Sequence, residues 1–311
     1  MQTIIERGRL TRRTRVRRSV GDRAFDIANY VFLALLGIVT IGPFLYLIFG
    51  SLTDATAYRL GGVSLNPADW TLDSYRILLG AESRIYQSFK ITVFTTVVGT
   101  ILSLLITAAM GYALSEKELP GHNLLIFLVF FTMMFGGGMV PFYLVAKWLS
   151  LPNTVWSIIF PFLVSAWYML IMMKFFEALP RELEDAARID GCSELMIFVR
   201  IVLPLSKPVL ATVGLFYAVG YWNQWFWATI FLRDTNLQPL QLVLRSILSQ
   251  LLTITDPELA AERAKTQMDV MPPVEVLRMG AIIVTVIPIA IVYPFLQKYF
   301  VQGVMIGAIK G

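Results

Sequence analysis

The sequence has few of the residues that proteins use for disulfide cross-links or metal sites. It contains one cysteine, Cys192, and one histidine, His122, in 311 residues. A single cysteine cannot form a disulfide within the chain, and neither residue stands in a cluster with the spacing of a metal site. We expect Cys192 to be a small buried residue and His122 to lie at the end of a loop without a chemical role. The composition therefore predicts no metal and no cofactor in this chain.

Charged residues are also scarce. Asp, Glu, Lys and Arg make up 15% of the chain, against about 25% in an ordinary soluble domain. Hydrophobic residues make up 57%, and the mean hydropathy is +0.67. A hydrocarbon core of about 30 Å needs about 20 helical residues. Six apolar runs of about that length predict an all-α membrane protein with six transmembrane helices: 27–50, 91–115, 124–146, 155–173, 209–232 and 279–297.

Several functions are disfavoured by what these runs lack. None has an ionisable residue in its interior, whereas proton- and sodium-coupled transporters usually carry such relays within their spans. The sequence has no G-x-x-x-x-G-K-[ST] loop, so it has no nucleotide-phosphate site of that kind. An intramembrane enzyme such as a glycosyltransferase would need a cluster of catalytic carboxylates or histidines at the membrane surface. The densest group of acidic residues lies in the short segment 180–208, whose helix signals and motif, described below, favour a different role.

Positive charge is concentrated before the first apolar run. Residues 1–23 form a basic tail with eight arginines: Arg7, Arg9, Arg12, Arg13, Arg15, Arg17, Arg18 and Arg23. Lys and Arg mark the cytoplasmic side of a membrane, so we expect both termini to be cytoplasmic. The tail has no interleaved aromatic residues, which favours contact with anionic lipid over nucleic acid. The first run is long enough to span, so we expect it to be retained rather than cleaved, at the start of a transmembrane domain over 24–311.

The segment 180–208, between the fourth and fifth runs, carries the start and stop signals of two short helices. Pro180 followed by acidic residues favours a helix start. Gly191 predicts a left-handed cap at the end of that helix. Ser193 is a good N-cap for a second helix, which Pro204 and Pro208 would end. We expect two short helices joined by a glycine corner.

The residues of this segment resemble the EAA loop of ABC importer permeases. The matching residues are Asp185, Ala186, Ala187, Arg188, Ile189, Asp190 and Gly191, followed by Phe198, Leu203-Pro204 and Pro208. The family usually has Glu where this chain has Asp185, but the carboxylate is kept and Glu184 stands beside it. The resemblance implies the type I importer permease fold and a loop that docks on a separate ATPase, and we call residues 180–208 the coupling segment. The residues to which it assigns this coupling are Glu184, Asp185, Ala186, Ala187, Arg188, Asp190, Gly191, Phe198 and Pro204.

Further stretches resemble the carbohydrate-uptake branch of this family, closest to the polysaccharide and oligosaccharide type that includes alginate and pectic-fragment importers. They are Phe135 to Pro141 with Pro152-Asn153-Thr154, Tyr221 to Trp225, Pro239 to Leu242, and Tyr293 to Gly307. The resemblance implies a permease subunit in the bacterial cytoplasmic membrane that imports an oligosaccharide. The partners it implies are a second permease in a heterodimer, two cytoplasmic subunits that bind ATP and Mg, and an extracytoplasmic solute-binding protein that docks on loops 51–90 and 233–278. Import of another solute, such as a peptide or a polyol, remains the alternative.

The aromatic run from Tyr221 to Trp227 is a candidate for sugar contact. Aromatic rings stack on the apolar faces of sugars, and an amide can both donate to and accept from hydroxyls. We predict a substrate path along Trp222, Asn223, Trp225 and Trp227, and helical spacing would place Asn223 and Trp227 on one face. Tryptophan is also enriched at membrane interfaces and in helix packing, so a purely structural role is equally open.

Overall fold

The computed structural model describes residues 20–80, 83–252 and 272–308, and these are helical with no β-strand among them. The chain divides into two compact units, residues 1–47 and 48–311. The helices are α1 (Val20–Leu52), α2 (Ala55–Gly61), α3 (Asp73–Leu79), α4 (Arg84–Ser115), α5 (His122–Met134), α6 (Met139–Trp148), α7 (Ala166–Glu177), α8 (Arg181–Ile189), α9 (Glu194–Ile197), α10 (Leu203–Leu205), α11 (Lys207–Trp222), α12 (Phe226–Phe231), α13 (Leu240–Leu252) and α14 (Val274–Ala308). This architecture confirms the predicted all-α class.

Three helical stretches are long and apolar enough to cross a membrane by themselves. They are Gly21–Leu52, Arg84–Ser115 and Val274–Ile291. Three further pairs of helices meet this test only when each pair is counted together across a short, bent break. The described residues therefore provide between three and six spans, a range that includes the predicted six.

The first unit contains residues 20–47 of α1, a single helix. Its candidate span has a mean hydropathy of 2.4. Among the described residues of this unit, no second element packs against this helix, and most of its apolar side chains are exposed.

The second unit is organised around α4, whose inward face is made of small and hydroxyl residues. Its buried residues include Gly99, Ser103, Thr107 and Gly111. A Cβ atom added at Gly99 would lie 2.7 Å from the ring of Tyr221 on α11, and one at Gly111 would lie 3.2 Å from Met172 on α7. Small residues let helix backbones approach closely in a membrane protein. The sequence of α4 therefore permits its close contacts with α7 and α11.

Two tyrosines of α11 complete these contacts with buried hydrogen bonds. The hydroxyl of Tyr217 lies 2.7 Å from Oγ1 of Thr107, and it accepts a bond of 2.9 Å from the backbone N–H of Ser165. The hydroxyl of Tyr221 lies 3.0 Å from Oγ of Ser103 and also donates to the carbonyl of Ile159 at 3.3 Å. Buried polar groups must find such partners, so these bonds fix the register of α11 against α4.

The third and fourth apolar runs are not straight helices, contrary to our expectation of continuous spans. The run 124–146 is bent by 117° between α5 and α6. Gly138, in the connection, has a φ of 82°, and three consecutive glycines there disfavour helix. The run 155–173 starts with two 3-10 turns, Val155–Ile158 and Phe160–Phe162, and bends by 46° before α7.

The fifth run, 209–232, is also interrupted. Helix α11 ends at Trp222, and α12 begins only at Phe226. The side-chain amide of Asn223 donates to the carbonyl of Val219 at 2.9 Å. Asparagine side chains that bond to nearby backbone compete with helix continuation, which accounts for the end of α11 at this residue. The prediction that Asn223 and Trp227 share a face of one continuous helix was therefore wrong.

The close contact at Gly99 gives a test of this packing. We expect Gly99→Ala to destabilise the protein by about 1–3 kcal/mol, the usual cost of overpacking, because its Cβ would displace a Tyr221 ring held by two hydrogen bonds. Gly37→Ala in α1 is the matched control, since nothing lies within 4 Å of its added Cβ and alanine favours helix. Thermal unfolding in detergent measures both, and equal melting temperatures for the two variants would contradict the proposed α4–α11 contact.

Candidate functional site

The first helix of the coupling segment ends in the predicted glycine corner. Gly191 has a φ of 83°. Its N–H donates to the carbonyl of Arg188 at 3.0 Å. The N–H of Cys192 donates to the carbonyl of Ala187 at 2.9 Å. This pair of bonds is the Schellman motif, which satisfies carbonyls at a helix end. The corner is therefore held by the backbone itself.

A second helical stretch follows at once, as predicted. The Oγ atom of Ser193 caps it by accepting from the N–H of Met196 at 3.4 Å. Helix α9 continues through a π-helical turn, Phe198–Val202, into α10. The stretch Glu194–Leu205 then meets α11 at an angle of 83°. Pro204 lies inside this stretch rather than at its end, because the helix reaches Leu205.

Arg188 joins the two helices of the coupling segment. Its guanidinium donates to Glu194 at 2.8 and 3.3 Å and to Asp185 at 3.0 Å, and lies 3.6 Å from a carboxylate oxygen of Glu184. The hydrogen bonds to Glu194 raise the pKa of Arg188 above its ordinary value, and the same bonds lower the pKa of Glu194. Exposed ion pairs contribute only about 0–1 kcal/mol each, so the network fixes geometry more than it adds stability.

Two of the residues that the resemblance assigned to coupling, Arg188 and Asp185, also bind each other within the chain, and Arg188 binds Glu194 as well. Ala187, which the resemblance also assigned to coupling, is only 8% exposed and packs in a core cluster that includes Met172 and Ile197. Ala187 therefore supports the coupling segment from within the chain.

The coupling segment is attached to the helix bundle through Tyr112, a residue of α4 that the sequence reasoning missed. Its hydroxyl donates to Glu184 at 3.0 Å. Its ring stacks on Phe198 with centroids 5.1 Å apart and meets Phe176 of α7 edge-on at 6.1 Å. Arg181 adds an ion pair of 3.6 Å with Glu116, just beyond α4. Nothing near Tyr112 in sequence marks this role, because its partners lie 64 or more positions away.

The outer face of the coupling segment is apolar and exposed. Ile189 is 86% exposed and Leu195 is 72% exposed, on opposite sides of Gly191. Ala186 and Asp190 are exposed beside them. Apolar side chains exposed among polar ones are typical of a contact surface for another protein where they form a contiguous patch. This surface is what the coupling segment can offer to a partner.

The four residues of the predicted substrate path lie in different surroundings. Trp222 is 8% exposed and packs edge-on against Phe89 at 6.2 Å. Asn223 is exposed, and its side-chain oxygen Oδ1 accepts a hydrogen bond of 3.5 Å from the side-chain amide of Gln241 on α13. The guanidinium of Arg245 lies over the ring of Trp225, with its central carbon atom 3.5 Å from the ring centroid. The break between α11 and α12 thus separates these residues instead of aligning them.

Trp227 is the member of the four that lines a cavity. The cavity has a volume of about 310 Å³ and is bounded by Phe162, Ser165, Tyr168, Phe216, Tyr217, Gly220, Tyr221, Gln224 and Trp227. Gln224 was not among the predicted site residues. The signal for it was present, since it is the second amide within an otherwise aromatic run. The structure therefore brings together Trp227 and Gln224 and leaves Trp222, Asn223 and Trp225 outside the cavity.

The described residues contain no group of three or more His, Cys, Asp or Glu side chains that could hold a metal ion. Cys192 is partly exposed rather than buried, contrary to our expectation, and it lies at the glycine corner.

Comparison with known proteins gives consistent matches over most of the chain. Residues 119–306 match the family model described as binding-protein-dependent transport system inner membrane component. Protein LplC of Bacillus subtilis is 43% identical over 93% of this chain and 96% of its own length. The polygalacturonan/rhamnogalacturonan transport system permease protein YtcP of Bacillus subtilis is 38% identical over 93% of this chain and 99% of its own. A crystal structure of a bacterial ABC transporter involved in the import of the acidic polysaccharide alginate contains a chain 33% identical, with a TM-score of 0.81, covering 91% of this chain and 98% of that one.

The left-handed corner gives a test of the coupling segment. We expect Gly191→Val to abolish coupled transport while leaving the protein in the membrane, because a β-branched residue resists a φ of 83°. Nothing lies within 4 Å of an added Cβ at Gly191, so the effect comes from backbone strain and not from a clash.

Gly191→Asn is the matched control, because asparagine adopts the left-handed conformation more readily than valine. It should keep most of the uptake and of the ATPase copurification. Equal uptake by the valine and asparagine variants would contradict the prediction that transport needs a left-handed backbone conformation at residue 191.

Proposed function

The chain belongs to the family of inner membrane components of binding-protein-dependent transport systems, and on this premise we propose that it forms one half of the path by which an ATP-driven importer takes up an oligosaccharide. It is a transport subunit and not an enzyme, and ATP is hydrolysed by a separate subunit. The observation that carries the proposal is the coupling segment, which presents Ile189 and Leu195 outward and is anchored to α4 inward. An oligosaccharide is supported by relatives named for polygalacturonan, rhamnogalacturonan and alginate.

The proposed partners are the other subunits that an importer of this kind needs. Two cytoplasmic subunits bind ATP with Mg and dock on the coupling segments of two permeases, of which this chain is one in a heterodimer. A solute-binding protein delivers the sugar to the loops 51–90 and 233–278. ATP-driven closure of the nucleotide subunits then moves the coupling segments, and with them α4 and α7, so that the path opens to the other side.

The anchoring around Tyr112 supports this transmission. Its ring contacts Phe198 of the coupling segment and Phe176 of α7, while Tyr112 itself belongs to α4. A force on the coupling segment therefore acts on two helices of the bundle through packed aromatic rings. Interiors packed in this way have low compressibility and transmit displacement.

We further propose that both termini and the coupling segment lie in the cytoplasm. The excess of Lys and Arg on that side supports this orientation, and the basic tail 1–23 adds attraction to anionic lipid. Within the path, the cavity beside Trp227 supports sugar contact there. Asn223, which is exposed, and Trp225, which is partly exposed, are candidates for sugar contact nearer α13. The burial of Trp222 supports a packing role for that residue.

Reconstitution tests the proposed function. The chain is placed in proteoliposomes with its partner permease, the ATPase and the binding protein, and uptake of a labelled oligogalacturonide is measured with ATP and with ADP. We expect ATP-dependent uptake. Ile189→Asp should lose both uptake and ATPase copurification, because it places a charge on the apolar docking surface. Leu149→Asp, at a leucine that is 54% exposed and lies outside the coupling segment and both docking loops, is the control and should keep both.

Two results would count against the proposal in different ways. ATP-dependent uptake of a peptide or polyol without uptake of any oligosaccharide would correct the substrate class. Normal ATPase copurification by Ile189→Asp would place the docking surface elsewhere on the chain.

Cysteine labelling tests the orientation. In a Cys192→Ser background, a cysteine at exposed Leu195 should react with an impermeant maleimide only from the cytoplasmic side, and one at exposed Ala68 only from the outside. Intact cells and inside-out vesicles give the two sides. Labelling of both positions from the same side would overturn the proposed arrangement of loops.

A further inference from the structure

The cavity beside Trp227 has the size and walls of a site for one sugar ring. Its volume of about 310 Å³ is at the lower end of the range for small-molecule sites, which is roughly 300–1,000 Å³. Aromatic side chains form most of its walls. Such walls match the apolar faces of a pyranose ring.

The polar groups in these walls are mostly committed to the protein. The hydroxyls of Tyr217 and Tyr221 each have two partners within the bundle, which are Thr107 and Ser165 for the former and Ser103 and Ile159 for the latter. These two tyrosines therefore offer ring surface to the cavity. Their hydroxyls are occupied, and they hold the wall in place.

Gln224 differs from these tyrosines. Its amide oxygen is buried and has no hydrogen-bond donor in the described part of the chain, although its side chain lines the cavity. A buried acceptor without a donor is costly, and a rotation of the side chain that turns its amide toward the cavity would let a ligand hydroxyl remove that cost. The backbone of the α11–α12 break positions Gln224 here, since its N–H donates to the carbonyl of Tyr221 at 3.3 Å.

Gly220 keeps the space open on the α11 side. A Cβ atom added at Gly220 meets nothing within 4 Å, which means that the room beside it is unoccupied by the protein. Gly220 lines the cavity, so a larger side chain at this position can take up part of its volume.

We propose that this cavity is a subsite for one pyranose ring of the transported oligosaccharide, with the Gln224 amide binding its hydroxyls and the Trp227 ring stacking on its face. The proposal rests on the proposed function, and it names a residue, Gln224, that discriminates among sugars by the position of their hydroxyls. The ring of Trp227 is held for this purpose by Phe142 and Phe231, with centroids at 4.6 and 5.7 Å.

The test compares sugar transport with ATP hydrolysis in the reconstituted complex. Gln224→Leu removes the amide at similar volume, and Gly220→Met fills the cavity. We expect each to lower the number of oligosaccharides transported per ATP hydrolysed by about 3- to 10-fold, Gln224→Leu because it removes a hydrogen bond or two and Gly220→Met because it occupies space that the sugar ring needs. Binding-protein-stimulated hydrolysis should remain, because neither residue contacts the coupling segment. Asn123→Leu, at an exposed amide of α5 outside the cavity, is the matched control and should transport normally.

A role in packing predicts a different pattern. Gln224→Leu would then reduce assembly, hydrolysis and uptake together, with the same loss for every oligosaccharide offered, and this result would overturn the subsite. An unchanged ratio of transport to hydrolysis in both variants would also overturn it. Normal uptake by the unaltered complex in these experiments keeps the proposed function intact, whereas its absence would remove the proposed function and the subsite with it.

Discussion

The close approach of α4 to its neighbours is the constraint on which the rest of the second unit depends. Gly99 and Gly111 leave no room for a side chain against Tyr221 and Met172. Because the helices meet at this distance, the tyrosine hydroxyls of α11 can reach Ser103 and Thr107. Toward its C-terminal end the same helix supplies Tyr112 to the coupling segment. A larger residue at either glycine would therefore affect the bundle, the cavity wall and the anchoring of the coupling segment together.

The two sites of the molecule lie at opposite ends of one short helix. The coupling segment leads into α11 through Ser206, and Tyr217, Gly220 and Tyr221 near the other end of α11 line the cavity. Sixteen helical residues span about 24 Å. A displacement of the coupling segment thus acts on a rigid element whose far end forms a wall of the proposed sugar subsite, so no long chain of contacts is needed to connect them.

Features with local causes could be predicted from the sequence. The corner at Gly191 is an example, because a left-handed cap needs only the glycine and the neighbouring carbonyls of one helix. The burial of Ala187 could not be predicted, since it depends on Met172 and Ile197 packing on it from other helices. Hydropathy also failed to find the break at Asn223, because it reports the composition of a stretch and not the continuity of its backbone. That error placed Asn223 and Trp227 on one face, which the break separates. The unpaired oxygen of Gln224 is visible only in the three-dimensional structure.

The glycine corner has a consequence for how such a subunit can change over evolutionary time. The corner is closed by two backbone hydrogen bonds at a residue with no side chain, and an added Cβ atom there would meet nothing within 4 Å. Exposed residues around it, such as Ile189 and Leu195, therefore contribute little to the angle itself. Under the proposed function, mutations there can accumulate and change the surface offered to an ATPase subunit while the backbone of the corner stays the same. The choice of partner and the geometry of the corner can therefore change independently.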